Sequence, residues 1–441
     1  MSINTGSKVK LLVTTALEKT WGEKQDILFI GEWCKPYKRQ AVIRNRNHQT
    51  MPFHWSDRQK KIKDYEYIKS LNERILLELT KKLNKYHQVN KSQRYWRIII
   101  GPWLFFFTPI LWDRWENVRI AFEDYDLDET IVVDYVRAES VPDDYDDLSY
   151  LSNDHTWNHM IFSYILTNYY QSQIKLTKVI CDNKADIFSR LSRKKISLKL
   201  KSKILVFVDS LLAFFQKKQK VAFFNSYFNF KTLLKIQFKL KQFPRLNSKY
   251  NKRFNYDRNF SVARGNKLNI DSSNKFELFV EEYLFSMIPV AHLEGFPLLK
   301  NKVDSNAQSA EIIFTAISHF NNELFKVWIA EQTETNSKLF IMEHGGGVPY
   351  QLNLQSEHED LIADKKIVWH IGRTKPNQIK LSPSKLIRAP LKSGSHSDIL
   401  LVAYNTSMYS YFIQTGPLSS SVLDDFNNVS VNNANDTLPK V

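Results

Sequence analysis

A glutamate, a histidine and three glycines stand in succession at Glu343-His344-Gly345-Gly346-Gly347. An imidazole can hold or move a proton near neutral pH. Glycines have no Cβ, so Gly345, Gly346 and Gly347 let backbone N–H groups close on a phosphate or sugar oxygen. His344 is therefore the first candidate for a general base or for contact with a phosphate. Glu343 either orients His344 or caps the strand that precedes it.

Other polar sets carry weaker signals. Glu357, His358 and Glu359 with Asp364 suggest a metal cluster by composition. Adjacent residues on a helix or strand point in different directions, however, so the expectation is no metal and a segment lining a cleft. His155 and His159 lie four apart on a presumed helix, without the glutamate of an HExxH pattern. Trp33, between Glu32 and Cys34, follows a strand and either stacks on a sugar or packs in the core. His54, Trp55, Asp57 and Arg58 form a polar-aromatic patch, and Glu294 in His292-Leu293-Glu294-Gly295-Phe296 is placed to face a cleft.

These residues need elements to hold them. Ile312-Ile313-Phe314 and Leu339-Phe340-Ile341-Met342 have the length of buried strands, and Phe320, Leu324, Trp328 and Ile329 recur between them at helical spacing. A strand, a crossover helix and a strand form a right-handed parallel unit, with ligands beyond the strands' carboxyl ends. That edge is where His344 falls. Lys10–Thr14 and Asp26–Gly31 read as two further strands, and Ile131-Val132-Val133 as another. Tyr65, Ile68, Leu71, Ile75, Leu79 and Leu83 make the apolar stripe of a helix from Asp57 to about Lys85. Ser92 is placed to cap a second long helix, which Pro102 and Pro109 should kink or break. Asp154–Tyr170 and Lys275–Ile288 also read as helical.

At 441 residues with 43% apolar content, the chain has enough material for two or three domains with real cores. Its two cysteines, Cys34 and Cys181, cannot build a disulfide framework or a four-thiolate metal site. They fit a cytoplasmic protein, and no signal peptide is visible. The apolar run Ile98–Trp112 is too short to span a membrane and reads as core. From Arg190 to Arg258, 19 Lys or Arg face two aspartates, a surplus that accounts for the whole net charge of +16. This stretch, 190–260, reads as a basic helical insertion, suited to an anionic membrane surface or simply solvated. Between Glu123 and Asp147, 11 acidic residues face one arginine, which suggests a solvated loop. No nucleic-acid-binding motif accompanies the positive charge, so no specific nucleic acid is expected.

Longer passages point to a family. LLVTTALEKTW, ILFIGEWCKPY, the run His54–Arg58, SQRYWRIIIGPWLFFFTPILW, HLEGF and the HGG loop resemble the LIC12162 family of transferases of bacterial O-antigen and surface-polysaccharide biosynthesis. The resemblance spans Leu11 to about Phe426. It implies an α/β fold similar to GT-B glycosyltransferases, with two facing Rossmann-like domains. It also implies a nucleotide-sugar donor, no bound cofactor, and a lipid-linked or glycan acceptor. His344 and Glu343 would be catalytic; Gly345, Gly346, Gly347, Trp33, Glu294, Glu357 and His358 would bind substrate. The expected organisation is a Rossmann-like acceptor domain over 1–375, a linker over 376–397, and an incomplete second Rossmann-like domain over 398–441. On that division the protein is either a transferase, cytoplasmic or peripheral on the inner membrane, or an inactive truncated relative or frameshift product.

Overall fold

A computed structural model describes residues 11–23, 26–135, 140–180, 212, 218–245, 254–305, 308–345, 352–369, 374–386, 407–411 and 413. Two parallel five-stranded sheets organise them. The first has the order β3-β2-β1-β4-β5, from β1 (Leu11–Val13), β2 (Ile27–Phe29), β3 (His48–Thr50), β4 (Glu129–Asp134) and β5 (Lys175–Ile180). The second has the order β10-β9-β8-β7-β6, from β6 (Lys218–Phe224), β7 (Ser309–Thr315), β8 (Lys338–Met342), β9 (Lys365–Val368) and β10 (Gln378–Lys380). Strands such as Leu11-Leu12-Val13 and Ile27-Leu28-Phe29 are continuously apolar because parallel sheets are covered on both faces.

Eleven helices among the described residues supply that cover. They are α1 (Gln40–Arg44), α2 (Arg58–His87), α3 (Gln93–Asp124), α4 (Tyr145–Leu151), α5 (His155–Ile165) and α6 (Phe230–Lys239). Then follow α7 (Lys275–Tyr283), α8 (Phe296–Asp304), α9 (Ser318–Asn321), α10 (Glu323–Glu334) and α11 (Leu354–Ile362). The Asp57 side chain caps α2 by accepting from the Gln59 and Lys60 N–H groups, and Ser92 caps α3 by accepting from Tyr95 N. The stripe read along α2 is buried from Tyr65 to Leu83.

Helix α3 packs against α2, α5, α10 and α11. It joins the two sheets into one apolar core. The break expected at Pro102 and Pro109 is absent, and the helix runs unbroken through both. Each proline removes a helical hydrogen bond at a cost of about 3 kcal/mol. Buried apolar side chains all round, Ile98, Trp103, Phe107 and Ile110 among them, offset that loss.

The second sheet runs from Lys218 to Lys380, so four of its strands fall inside the 1–375 range and β10 falls beyond it. β6 falls within the 190–260 stretch read as helical; its Lys218, Gln219 and Lys220 hide a strand whose Ala222, Phe223 and Phe224 are buried. β10 falls within the presumed linker 376–397. The strand expected at 399–404 lies outside the described residues. Asp144 and Asp147 in the acidic stretch are buried, Asp144 capping α4 at Asp147 N. No helix among the described residues is long and apolar enough to cross a membrane.

Candidate functional site

Two strands of the second sheet deliver their carboxyl ends, and a third its amino-terminal half, to one place. After β7 the chain turns into α9, which carries His319; after β8 come Glu343 and His344. β9 pairs in parallel with β8, Lys366 opposite Ile341, and so brings a lysine to the same edge. Helix α11 lies across them and contributes Glu359.

Glu359 is the hub. Its Oε1 is 3.3 Å from His319 Nε2 and 3.5 Å from His344 Nε2, and its Oε2 is 2.9 Å from Lys366 Nζ. Lys366 also donates to the Ser356 carbonyl and hydroxyl at 3.0 and 2.8 Å. Burial raises the Glu359 pKa, but Lys366 and the two imidazoles outweigh it and hold the carboxyl well below the usual range. Burial lowers the pKa of His319, with Glu359 opposing it only in part, so this ring is neutral near pH 7.

Exposure separates the members of the group. The side chains of His319, Glu359 and Lys366 are 0, 3 and 1% exposed, while that of His344 is 20% exposed. His344 is thus the member that can meet a substrate. Its Nε2 also lies 2.7 Å from the Gln355 amide, and its ring stands edge-on to Phe320. The Glu359 carboxylate favours the tautomer protonated at Nε2, with the Gln355 amide presenting its oxygen there, an exchange of two nearly equivalent atoms. Nδ1 is then the basic nitrogen. The contacts at 3.3 and 3.5 Å are ion-pair distances, and catalytic bonds often tighten only with substrate in place.

The remaining residues singled out in the sequence go to several places. Glu343 is buried; its N–H donates to Ile367 O and its carboxylate accepts from Trp369 N, which ties β8 to the end of β9. Gly345 O accepts from the Trp369 indole, while Gly346 and Gly347 lie outside the described residues. Glu357 and His358 are on α11 beside Glu359 but face away from His344. Glu357 meets Lys69 and Tyr65 of α2, and His358 packs against Gly101 and Phe105 of α3. Glu294 is gripped by Arg264, whose guanidinium also donates to the Ser286 and Ile288 carbonyls. Trp33 sits at the carboxyl edge of the first sheet, its indole donating to Thr14 O and its ring 5.5 Å from Tyr409.

His155 and His159 also part company. His155 meets the Tyr409 hydroxyl at 2.8 Å, and His159 meets Thr14 Oγ1 at 2.9 Å. His54 pairs with Asp113 at 3.0 Å, next to the fully buried Arg114. Among the described residues, no group of three or more His, Cys, Asp and Glu is arranged to hold a metal ion.

His319 and Lys366 were missed in the sequence. His319 follows the end of β7 within one turn of chain, as His344 follows the end of β8. A lysine inside the buried strand Lys365-Lys366-Ile367-Val368 calls for a buried anion. Both signals were present.

Among known families, the model of the LIC12162 family transferase matches residues 10–429. No curated protein and no solved structure matches.

Proposed function

The chain belongs to the LIC12162 transferase family, and we propose that it transfers a glycosyl group from a nucleotide-sugar to a lipid-linked or glycan acceptor in bacterial surface-polysaccharide (O-antigen) assembly. The observation that carries this reading is His344, partly exposed at the carboxyl edge of a parallel sheet and backed by the ionised Glu359. In the proposed step, His344 Nδ1 takes the proton of the acceptor hydroxyl as its oxygen bonds to the anomeric carbon. The bond from that carbon to the nucleoside diphosphate breaks, and the diphosphate leaves with the electron pair. Glu359 stabilises the imidazolium that forms. Backbone N–H groups of the Gly345-Gly346-Gly347 loop would meet the leaving diphosphate. Two parallel sheets joined through α3 are the materials of a GT-B-like fold, in which such a cleft lies between the halves.

The test is release of nucleoside diphosphate from a panel of UDP-, GDP- and dTDP-sugars in the presence of a bacterial lipid extract. His344→Ala is expected to lower turnover roughly 10²–10⁴-fold with the circular dichroism unchanged. Turnover equal to that of the unaltered chain would remove His344 from the mechanism. Peripheral attachment through the basic stretch 190–260 is part of the same reading. It predicts sedimentation with phosphatidylserine vesicles that is lost as salt is raised.

A further inference from the structure

Helix α6 covers the second sheet with one face and leaves the other to solvent. Leu233 and Ile236 pack on the apolar cluster of Phe223, Phe314 and Met342. Met342 directly precedes Glu343 and His344, so α6 lies on the flank of the His344 edge. Its outward face carries Lys231, Lys235, Phe238 and Lys239, spaced three or four apart and all exposed. Phe230 opens the helix and Lys241 follows it, both exposed as well. Phe230 and Phe238 are 57 and 64% exposed, so neither ring serves the core on which α6 already packs.

The charge on this face says what covers it. No Asp or Glu stands between Lys218 and Arg245 to neutralise the lysines, so the face is complementary to an anion. Lysines are compact point charges that suit a diffuse anionic surface, whereas the planar fork of arginine grips a single phosphate, and Arg245 is buried. Large apolar rings standing among such lysines select lipid from the anionic surfaces. We propose that α6 lies flat on an anionic bilayer, with Phe230 and Phe238 entering the acyl boundary and the lysines meeting the headgroups. This rests on the peripheral-attachment reading above, and adds to it a defined element and an apolar contribution that charge alone does not supply.

The test is sedimentation of the full chain with phosphatidylcholine vesicles holding increasing fractions of phosphatidylserine. Phe230→Ala/Phe238→Ala is expected to weaken binding to the phosphatidylserine vesicles at least about tenfold, since each ring otherwise leaves water. Lys231→Gln/Lys235→Gln/Lys239→Gln should weaken it on the order of a hundredfold. Every altered site is exposed, so the circular dichroism of both variants should match that of the unaltered chain. Full affinity in the phenylalanine variant would overturn insertion while leaving attachment by charge in place. Full affinity in both variants would overturn the assignment to α6 and move attachment elsewhere on the chain. No sedimentation of the unaltered chain would remove α6 and peripheral attachment together. Tighter binding to a single-stranded RNA oligomer than to the vesicles, at equal salt, would overturn the assignment of lipid.

Discussion

Glu359 meets three basic groups with two oxygens, and none of the four side chains except His344 reaches water. Such a charge is stable inside a protein only while its partners stay. Glu359→Gln keeps the shape but removes the anion, and Lys366 is left buried with Asp360 3.5 Å away as its remaining carboxylate. Breaking a buried pair from one side costs about 3–5 kcal/mol, and Asp360 holds the expected loss near the lower end, about 3 kcal/mol. Chemical denaturation measures it. The double variant Glu359→Gln/Lys366→Met should recover part of the loss, because the orphaned cation is gone. A single variant as stable as the unaltered chain would mean that Glu359 is not the hub. The sequence displayed both Glu359 and His344, yet their pairing was not legible. Glu357, His358 and Glu359 are consecutive, and successive helical residues point about 100° apart. One goes to α2, one to α3 and one to the sheet edge, and which goes where depends on what α11 lies against.

Elements with strong local signals were legible. The cap at Ser92, the stripe of α2, and the strand-helix-strand run through β7, α10 and β8 all follow from periodicity and capping chemistry. Elements whose signal is overridden by packing were not. α3 contains two prolines that argue for a break, and only the surrounding helices explain why it persists. β6 has lysines at its start, and its burial comes from β7 and the neighbouring Phe325 and Trp328. The edge after β2 shows the same dependence on close packing. A Cβ at Gly31 would come within 2.4–2.6 Å of three Trp33 ring atoms, and that ring is fixed by its bond to Thr14 O. The Gly31 backbone is extended, a conformation any residue adopts, so its need for glycine is purely steric. Gly31→Ala is therefore expected to cost about 1–3 kcal/mol through overpacking, read as a lower Tm. Gly31→Ala/Trp33→Phe should relieve part of it, and a Tm equal to the original in the single variant would show that the Trp33 ring is free to move.

Across the whole molecule, an unusual number of histidines are buried and kept neutral. Burial is the chief cause of the lowered pKa at His87, His159, His292, His319 and His358, with His87 at about 4 and His159 at about 3 against the usual 6.5. In the unfolded chain each of these rings takes up a proton as pH falls through 6.5; in the fold it does so only at lower pH. The unfolded state then binds more protons, so stability falls as pH drops below 6.5, and for His87 the loss continues to about pH 4. That single residue accounts for about 3 kcal/mol at the end of its window, at roughly 1.36 kcal/mol per pH unit. Domains have only about 5–15 kcal/mol in total, so two or three such residues consume most of the margin. Glu323, held at about 2 against its burial by Lys326 and His292, acts in the same direction but only under far stronger acid. The net charge of +16 grows as carboxylates and histidines protonate, which adds self-repulsion to the same trend. Scanning calorimetry should therefore find a Tm nearly constant from pH 8 to 6.5 and a steep fall between pH 6.5 and 4, ending in cooperative unfolding while most exposed carboxylates are still ionised. His87→Gln, which cannot titrate, should flatten part of that slope without changing the plateau. A Tm independent of pH across that window would mean that these rings exchange protons with solvent in the folded state as readily as out of it.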